Sequence, residues 1–192
     1  MNPQDSCLEM HGVRAVGNPD STRGLCRVYN AAMHDSHIDT AQPKPAFYNE
    51  LNRELGALIA GERDLIANLA NSAALLYHSL PDLNWAGFYL LKDGELVVGP
   101  FQGKPACVRI ALGKGVCGTA AQQRKTQVVR DVHEFPGHIA CDAASASEIV
   151  VPMVRAGQLL GVLDLDSPKL ARFDEDDRVG LEKFVATLLA GL

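Results

Sequence analysis

No stretch of this 192-residue chain approaches eighteen uninterrupted apolar residues, so hydropathy gives no membrane-spanning helix. The N-terminus lacks the compact order of basic, apolar and small residues that marks a secretory signal, which leaves the cytoplasm as the expected compartment. Basic residues are outnumbered 18 to 23, and a net charge of −5 argues against a nucleic-acid footprint. Cysteine is sparse and odd in number, five in all, which disfavours a disulfide framework and leaves reactive or merely buried thiols. The two cysteines nearest in sequence, Cys107 and Cys117, stand ten residues apart, too far for a close Cys ligand pair. A zinc site drawn from Cys107, Cys117, Cys141 and His133 or His138 is therefore a weak reading, and no metal is expected. Gly113-Lys114-Gly115 lacks the rest of a phosphate-loop spacing and reads as a turn.

What is present is enough apolar material, 47% of residues, for one core. Residues 1–43, rich in Asn, Asp, Ser, Gly and Pro, read as a poorly ordered leader whose Cys7 and Cys26 are incidental; residues 44–192 read as a single domain. Phe47, Leu51, Leu55, Leu58 and Ile59 recur at helical spacing, and Leu65, Leu69, Ala73, Leu76 and Leu80 form a second stripe behind Asp64. Strands follow over Trp85–Leu91 and Glu95–Phe101 around an Asp93-Gly94 turn, then over Cys107–Leu112. A short helix is expected over Cys117–Arg124 and a strand over Thr126–Arg130. Residues 131–147 make a loop long enough to be functional. Glu148–Arg155 and Gln158–Asp166 form a last hairpin around Gly157, with Pro152 at an edge or bulge. The closing helix begins near Asp174, carries an Asp177 capping box and points Val179, Phe184, Val185 and Leu188 inward. Helices, an antiparallel meander and a terminal helix make an α+β layered domain.

The chemistry concentrates between Cys107 and Asp166. Two thiols near acidic groups suggest redox work, since a thiolate attacks a soft electrophile and a second thiol resolves the oxidised product. Asp164 and Asp166, two apart on a strand, face the same side. Glu148 joins them only if the hairpin loop has an odd residue count or a bulge intervenes, and mutual repulsion then raises at least one pKa. Each residue taken alone has a plainer reading. A cysteine is commonly a small buried hydrophobe, Trp85 a core aromatic, and the two aspartates turn formers.

Taken together, Asn84-Trp85-Ala86-Gly87-Phe88-Tyr89, Gly94-Glu95-Leu96, Gly99-Pro100-Phe101-Gln102-Gly103, Gly113-Lys114-Gly115-Val116-Cys117-Gly118, the Cys141–Glu148 region and Gly161-Val162-Leu163-Asp164-Leu165-Asp166-Ser167 resemble the GAF-domain free methionine-(R)-sulfoxide reductases. The resemblance runs from about residue 47 to the C-terminus and includes all three cysteines of that stretch. It implies a GAF-like fold, a six-stranded antiparallel sheet flanked by helices, in a cytoplasmic homodimer. It also implies reduction of the free amino acid, with thioredoxin as external reductant and no bound cofactor. By the resemblance, Cys141 is the nucleophile, Cys107 the resolving cysteine that pairs with it, and Cys117 a nearby thiol able to substitute in part. Glu148, Asp164 and Asp166 line the substrate pocket, with Glu148 the candidate acid, while Trp85 packs on the substrate methyl and Tyr89 borders the cavity. The alternative is a non-catalytic GAF module that senses a small molecule.

Overall fold

The computed structural model describes residues 38–137 and 142–192. Helix α1 (Lys44–Leu58) tolerates Pro45 because the first turn of a helix has no partner for its N–H groups. It buries Phe47, Tyr48, Leu51 and Leu55, and Ile38, ahead of the helix, is buried in the same core. Helix α2 (Leu65–Ser79) is capped by Asp64, whose carboxylate accepts the Ala67 N–H at 2.8 Å.

Strands β1 (Trp85–Lys92) and β2 (Glu95–Gly103) close through Asp93 and Gly94, at φ 51° and 84°, the left-handed pair that matches strand twist. Strand β3 is only Arg109–Ala111 and pairs with β2 alone. The strand expected from Cys107 is thus shorter, and Cys107 stays in the β2–β3 connection that follows Pro105. Helix α3 (Gly115–Gln123) begins two residues earlier than expected, which puts Cys117 in its first turn. Strand β4 (Gln127–Val129) precedes the long connection, and strands β5 (Ser147–Arg155) and β6 (Gln158–Ser167) follow it. Helix α4 (Glu175–Ala190) carries the expected capping box between Asp174 and Asp177.

All six strands pair antiparallel in the order β3-β2-β1-β6-β5-β4. Pro152 lies past the end of β4, which pairs with β5 only as far as Val150, so its missing N–H breaks no ladder bond. One face of the sheet buries Ala86, Phe88, Leu90, Ile149, Val151, Leu163 and Leu165 beneath α2 and α4, and α1 packs chiefly on α4. The other carries Trp85, Tyr89, Val150 and Val162 and packs against α3. Val179 departs from expectation at 53% exposed. Helix α4 instead turns Gly180 onto the Tyr48 ring, where a Cβ would stand 2.1 Å from Cγ, and so buries Leu181, Phe184, Val185 and Leu188. Among the described residues no helix is long and apolar enough to cross a membrane.

The β5–β6 hairpin holds the detail on which the site depends. Its loop has two residues, Ala156 and Gly157, both left-handed. Arg155 pairs with Gln158 and Val154 with Leu159, but Met153 pairs with Gly161, so Leu160 is an inserted residue. At Gly161 a Cβ would lie 2.1 Å from the Tyr89 carbonyl oxygen of β1. Gly161→Ala is expected to cost roughly 2–3 kcal/mol, as overpacking does, read from the urea midpoint. An unchanged midpoint would mean that β1 and β6 separate at little cost.

Candidate active site

The inserted Leu160 changes which residues share a face. Beyond it Glu148 stands opposite Asp166 and Val150 opposite Asp164. An uninterrupted ladder would have set Glu148 against Leu165, with Asp166 on the opposite side from it. The bulge thus meets the condition read from the sequence and brings three carboxyl groups to the α3 side of the sheet.

Strand β1 supplies the wall. Trp85 pairs with Asp166 and Gly87 with Asp164. The Trp85 ring stacks on Tyr89 at 5.8 Å and on Phe101 at 5.2 Å between centroids, and its Nε1–H donates to the Lys104 carbonyl at 3.2 Å. Gly87 makes the room for this, since a Cβ there would lie 2.3 Å from Phe101 Cβ and 2.8 Å from the indole. The first turn of α3 closes another side. A cavity is lined by Tyr89, Lys114, Cys117, Glu148, Asp164 and Asp166, among others. A second lobe lies against Trp85, Lys104 and Ala106 and shares Tyr89, Asp142, Asp164 and Asp166 with the first.

The cavity floor is acidic, with Glu148 and Asp164 buried. Burial first, then the Asp164 and Asp166 charges, push Glu148 well above the ordinary carboxyl range. Burial pushes Asp164 up to about 7, and burial with Asp164 beside it pushes Asp166 well up. Desolvation, not the mutual repulsion expected from sequence, is the leading cause. Burial and the same carboxyls also drive the Cys117 thiol upward, so it is a protonated donor, its Sγ 3.9 Å from Glu148 Oε1. Oδ1 of Asp164 is buried without a hydrogen-bond partner.

A pH dependence of stability follows. The folded chain holds the Asp164 proton more tightly than the unfolded chain does, so stability is full below the ordinary carboxyl value and falls as pH rises toward about 7. The loss is on the order of 4 kcal/mol. Urea midpoints at pH 5 and pH 8 should fall further apart for the native chain than for Asp164→Asn; equal differences would remove Asp164 from the account.

The structure gathers Trp85, Tyr89, Cys117, Glu148, Asp164 and Asp166 at one cavity. Cys107 is half-buried as a free thiol in the β2–β3 connection, one residue after the Ala106 that lines the second lobe. Cys141 lies outside the described residues, as do Cys7 and Cys26. Asp142, which follows Cys141, lines both lobes and was not singled out from sequence. The Ala144 N–H, Lys104 and Asn84 all donate to it, the first two chiefly holding its carboxyl below the usual range. Asn84 also donates to the Ser145 hydroxyl at 3.0 Å. Only its place beside Trp85 in the motif hinted at this role. Phe101 is another contributor missed, because its stacking depends on the β1–β2 register.

A family model described as a GAF domain matches residues 72–190. The chain is 59% identical over 145 residues to a free methionine-R-sulfoxide reductase of Escherichia coli, covering 76% of this chain and 88% of that protein. Among solved structures, free methionine-R-sulfoxide reductase from Neisseria meningitidis in complex with its substrate is similar at a TM-score of 0.79 and 45% identity, covering 83% of this chain and 95% of that one. The reduced form of fRMsr of Staphylococcus aureus is similar at a TM-score of 0.74 and 53% identity, with coverage of 76% and 94%.

Proposed function

The chain belongs to the GAF-domain family, among its free methionine-R-sulfoxide reductases, and on that premise we propose how its residues carry out the reduction of free methionine (R)-sulfoxide. The Cys141 thiolate attacks the sulfoxide sulfur while a protonated carboxyl, Glu148, delivers a proton to the sulfoxide oxygen. The bond between the two sulfurs then breaks as the oxygen passes from the substrate sulfur to the cysteine sulfur: one S–O bond is lost and one is made, methionine leaves as the two-electron-reduced thioether, and Cys141 is oxidised by the same two electrons to the sulfenic acid. The Cys107 thiol then attacks that sulfur, expels water and forms the Cys107–Cys141 disulfide, which a thioredoxin dithiol reduces by exchange. Cys117, buried and protonated, is a poor nucleophile and serves as a hydrogen-bond donor to Glu148.

The observation that carries this reading is the buried, triply acidic cavity beside an aromatic wall. Asp164 and Asp166 meet the substrate ammonium, whose charge makes their ionisation favourable. The Trp85 face packs on the methyl group, with Tyr89 behind it. The first turn of α3, with Lys114 as its N-cap and no side-chain cap, lines the same cavity and offers N–H groups and a cation to the substrate carboxylate. A zwitterion is matched at both ends, which favours a free amino acid over a residue within a peptide.

Purified protein incubated with free methionine (R)-sulfoxide and dithiothreitol should yield methionine; none formed would sink the reading. N-acetyl methionine sulfoxide lacks the ammonium charge and adds bulk, so its kcat/KM should be lower by on the order of 100-fold, the worth of one or two charged hydrogen bonds. Comparable rates for the two compounds would contradict the pocket model.

We extend the reading to thioredoxin as external reductant with no bound cofactor, and to a cytoplasmic homodimer that engages neither nucleic acid nor membrane. A disulfide formed and broken in each cycle calls for a dithiol partner and a reducing compartment, which supports the first and third of these. Light scattering of the purified chain tests the dimer.

A further inference from the structure

The mechanism leaves the Cys117 thiol without a step of its own, yet this sulfur is buried and lines the cavity. Cys117, Glu148 and Asp164 are 4%, 5% and 6% exposed, and one potential ligand atom from each lies within 4.8 Å of the other two. Cys117 Sγ and Glu148 Oε1 are already 3.9 Å apart. A tetrahedral zinc ion, with Zn–S near 2.3 Å and Zn–O near 2.0–2.2 Å, holds such atoms roughly 3.3–3.6 Å from one another. The triad therefore needs a small contraction to chelate, and the ion displaces to solvent the protons that the thiol and the carboxyls hold. One sulfur with two carboxylate oxygens suits a borderline-soft ion, and hard ions such as Mg²⁺ prefer an all-oxygen shell.

A second observation points to a ligand. Oδ1 of Asp164, buried and lining the cavity, has no hydrogen-bond partner. A buried acceptor left unmet is costly unless something arrives to meet it. The substrate ammonium is one such visitor, and a cation is another.

We propose that Cys117, Glu148 and Asp164 bind Zn²⁺ from the cavity side, and that the bound ion switches the reductase off. This regulation rests on the function proposed above. Three protein ligands leave the fourth position of zinc open toward the cavity, so the ion enters by the route substrate uses. Once bound, it occupies the Glu148 carboxyl needed as proton donor and the Asp164 carboxyl needed for the ammonium, and its charge repels that ammonium. Zinc and methionine sulfoxide thus exclude one another. Cys117 becomes the residue that makes an otherwise all-oxygen pocket selective for thiophilic ions.

The full chain with Cys7, Cys26, Cys107 and Cys141 replaced by serine retains Cys117 alone and cannot turn over. Titration of this variant with Co²⁺ should give one equivalent of a near-ultraviolet sulfur-to-cobalt charge-transfer band that Zn²⁺ abolishes. Saturating methionine sulfoxide should bleach the same band. Asp164→Asn in that background should weaken the metal by more than about 100-fold, since losing even an outer partner of a ligand costs roughly 10–100-fold. In the native chain, pre-reduced and assayed for a single turnover so that no added thiol competes for metal, Zn²⁺ should block methionine release, and the zinc concentration that halves release should rise at least about 10-fold in Cys117→Ala, each chain scored against its own zinc-free yield. Absence of the cobalt band, or an undiminished block in Cys117→Ala, would overturn the proposal by placing zinc on the redox cysteines or nowhere. A band in a native chain that forms no methionine would leave the metal site standing and remove the reductase reading instead.

Discussion

Cys141→Ser is expected to form no methionine above background, a loss on the order of 10⁴-fold or more, as removal of an enzymatic nucleophile costs. A serine hydroxyl is not ionised near neutrality and is a far weaker nucleophile toward sulfur than a thiolate. The neighbouring Cys117 thiol should be a poor replacement as nucleophile, because burial drives its pKa upward and its Sγ stands 3.9 Å from Glu148 Oε1. Cys107→Ser should behave differently. It should release about one methionine per active site and then stall with thioredoxin as the only reductant, because the sulfenic acid forms but the recycling disulfide cannot. A quenched-flow measurement of methionine per enzyme separates the two variants. Substantial turnover by Cys141→Ser would move the nucleophile elsewhere, and full thioredoxin-dependent turnover by Cys107→Ser would remove it from the resolving role.

The second large effect is expected at Glu148. Glu148→Gln keeps the shape of the side chain and its hydrogen-bonding reach but has no acidic proton to give. The expected fall in kcat is about 10²–10⁴-fold, the worth of general acid catalysis, with a smaller change in KM. Its pH signature has a definite sign. The native carboxyl is held well above its ordinary value by burial, so it keeps its proton to higher pH than a free carboxyl does, and kcat should decline as pH rises through that elevated value. In Glu148→Gln this alkaline limb should vanish from the residual activity. A full-rate Glu148→Gln enzyme would pass the proton-donor role to Asp164, whose carboxyl is pushed up to about 7.

Much of the architecture was legible because it is written in local patterns. The apolar spacing of α1 and α2, the Asp93-Gly94 turn and the Asp174–Asp177 capping box are short-range signals, and each appears where its residues place it. Where the reading slipped, a tertiary contact had decided. Val179 satisfies a helical stripe on paper, but the flat approach of Gly180 to Tyr48 rotates α4 and leaves Val179 in solvent. Cys107 looked like the start of a strand, yet β3 pairs with β2 alone and begins at Arg109. Lys104, Asp142 and Asn84 lie far apart along the chain and meet only after the β1 entry, the β2–β3 connection and the segment after Cys141 converge.

The sequence by itself determined the elements, the α+β class and the residue types able to do redox chemistry, since helix and strand periods, turns and thiols are properties of short stretches of chain. The tertiary structure alone decided that those residues form one site. Whether Glu148 faces Asp164 and Asp166 depends on the single inserted Leu160, because a one-residue shift of register moves a strand's side chains to the opposite face. Whether the three carboxyls and Cys117 hold their protons depends on how much water the sheet, α3 and the surrounding segments exclude from them, a quantity that exists only once the chain has closed over the cavity.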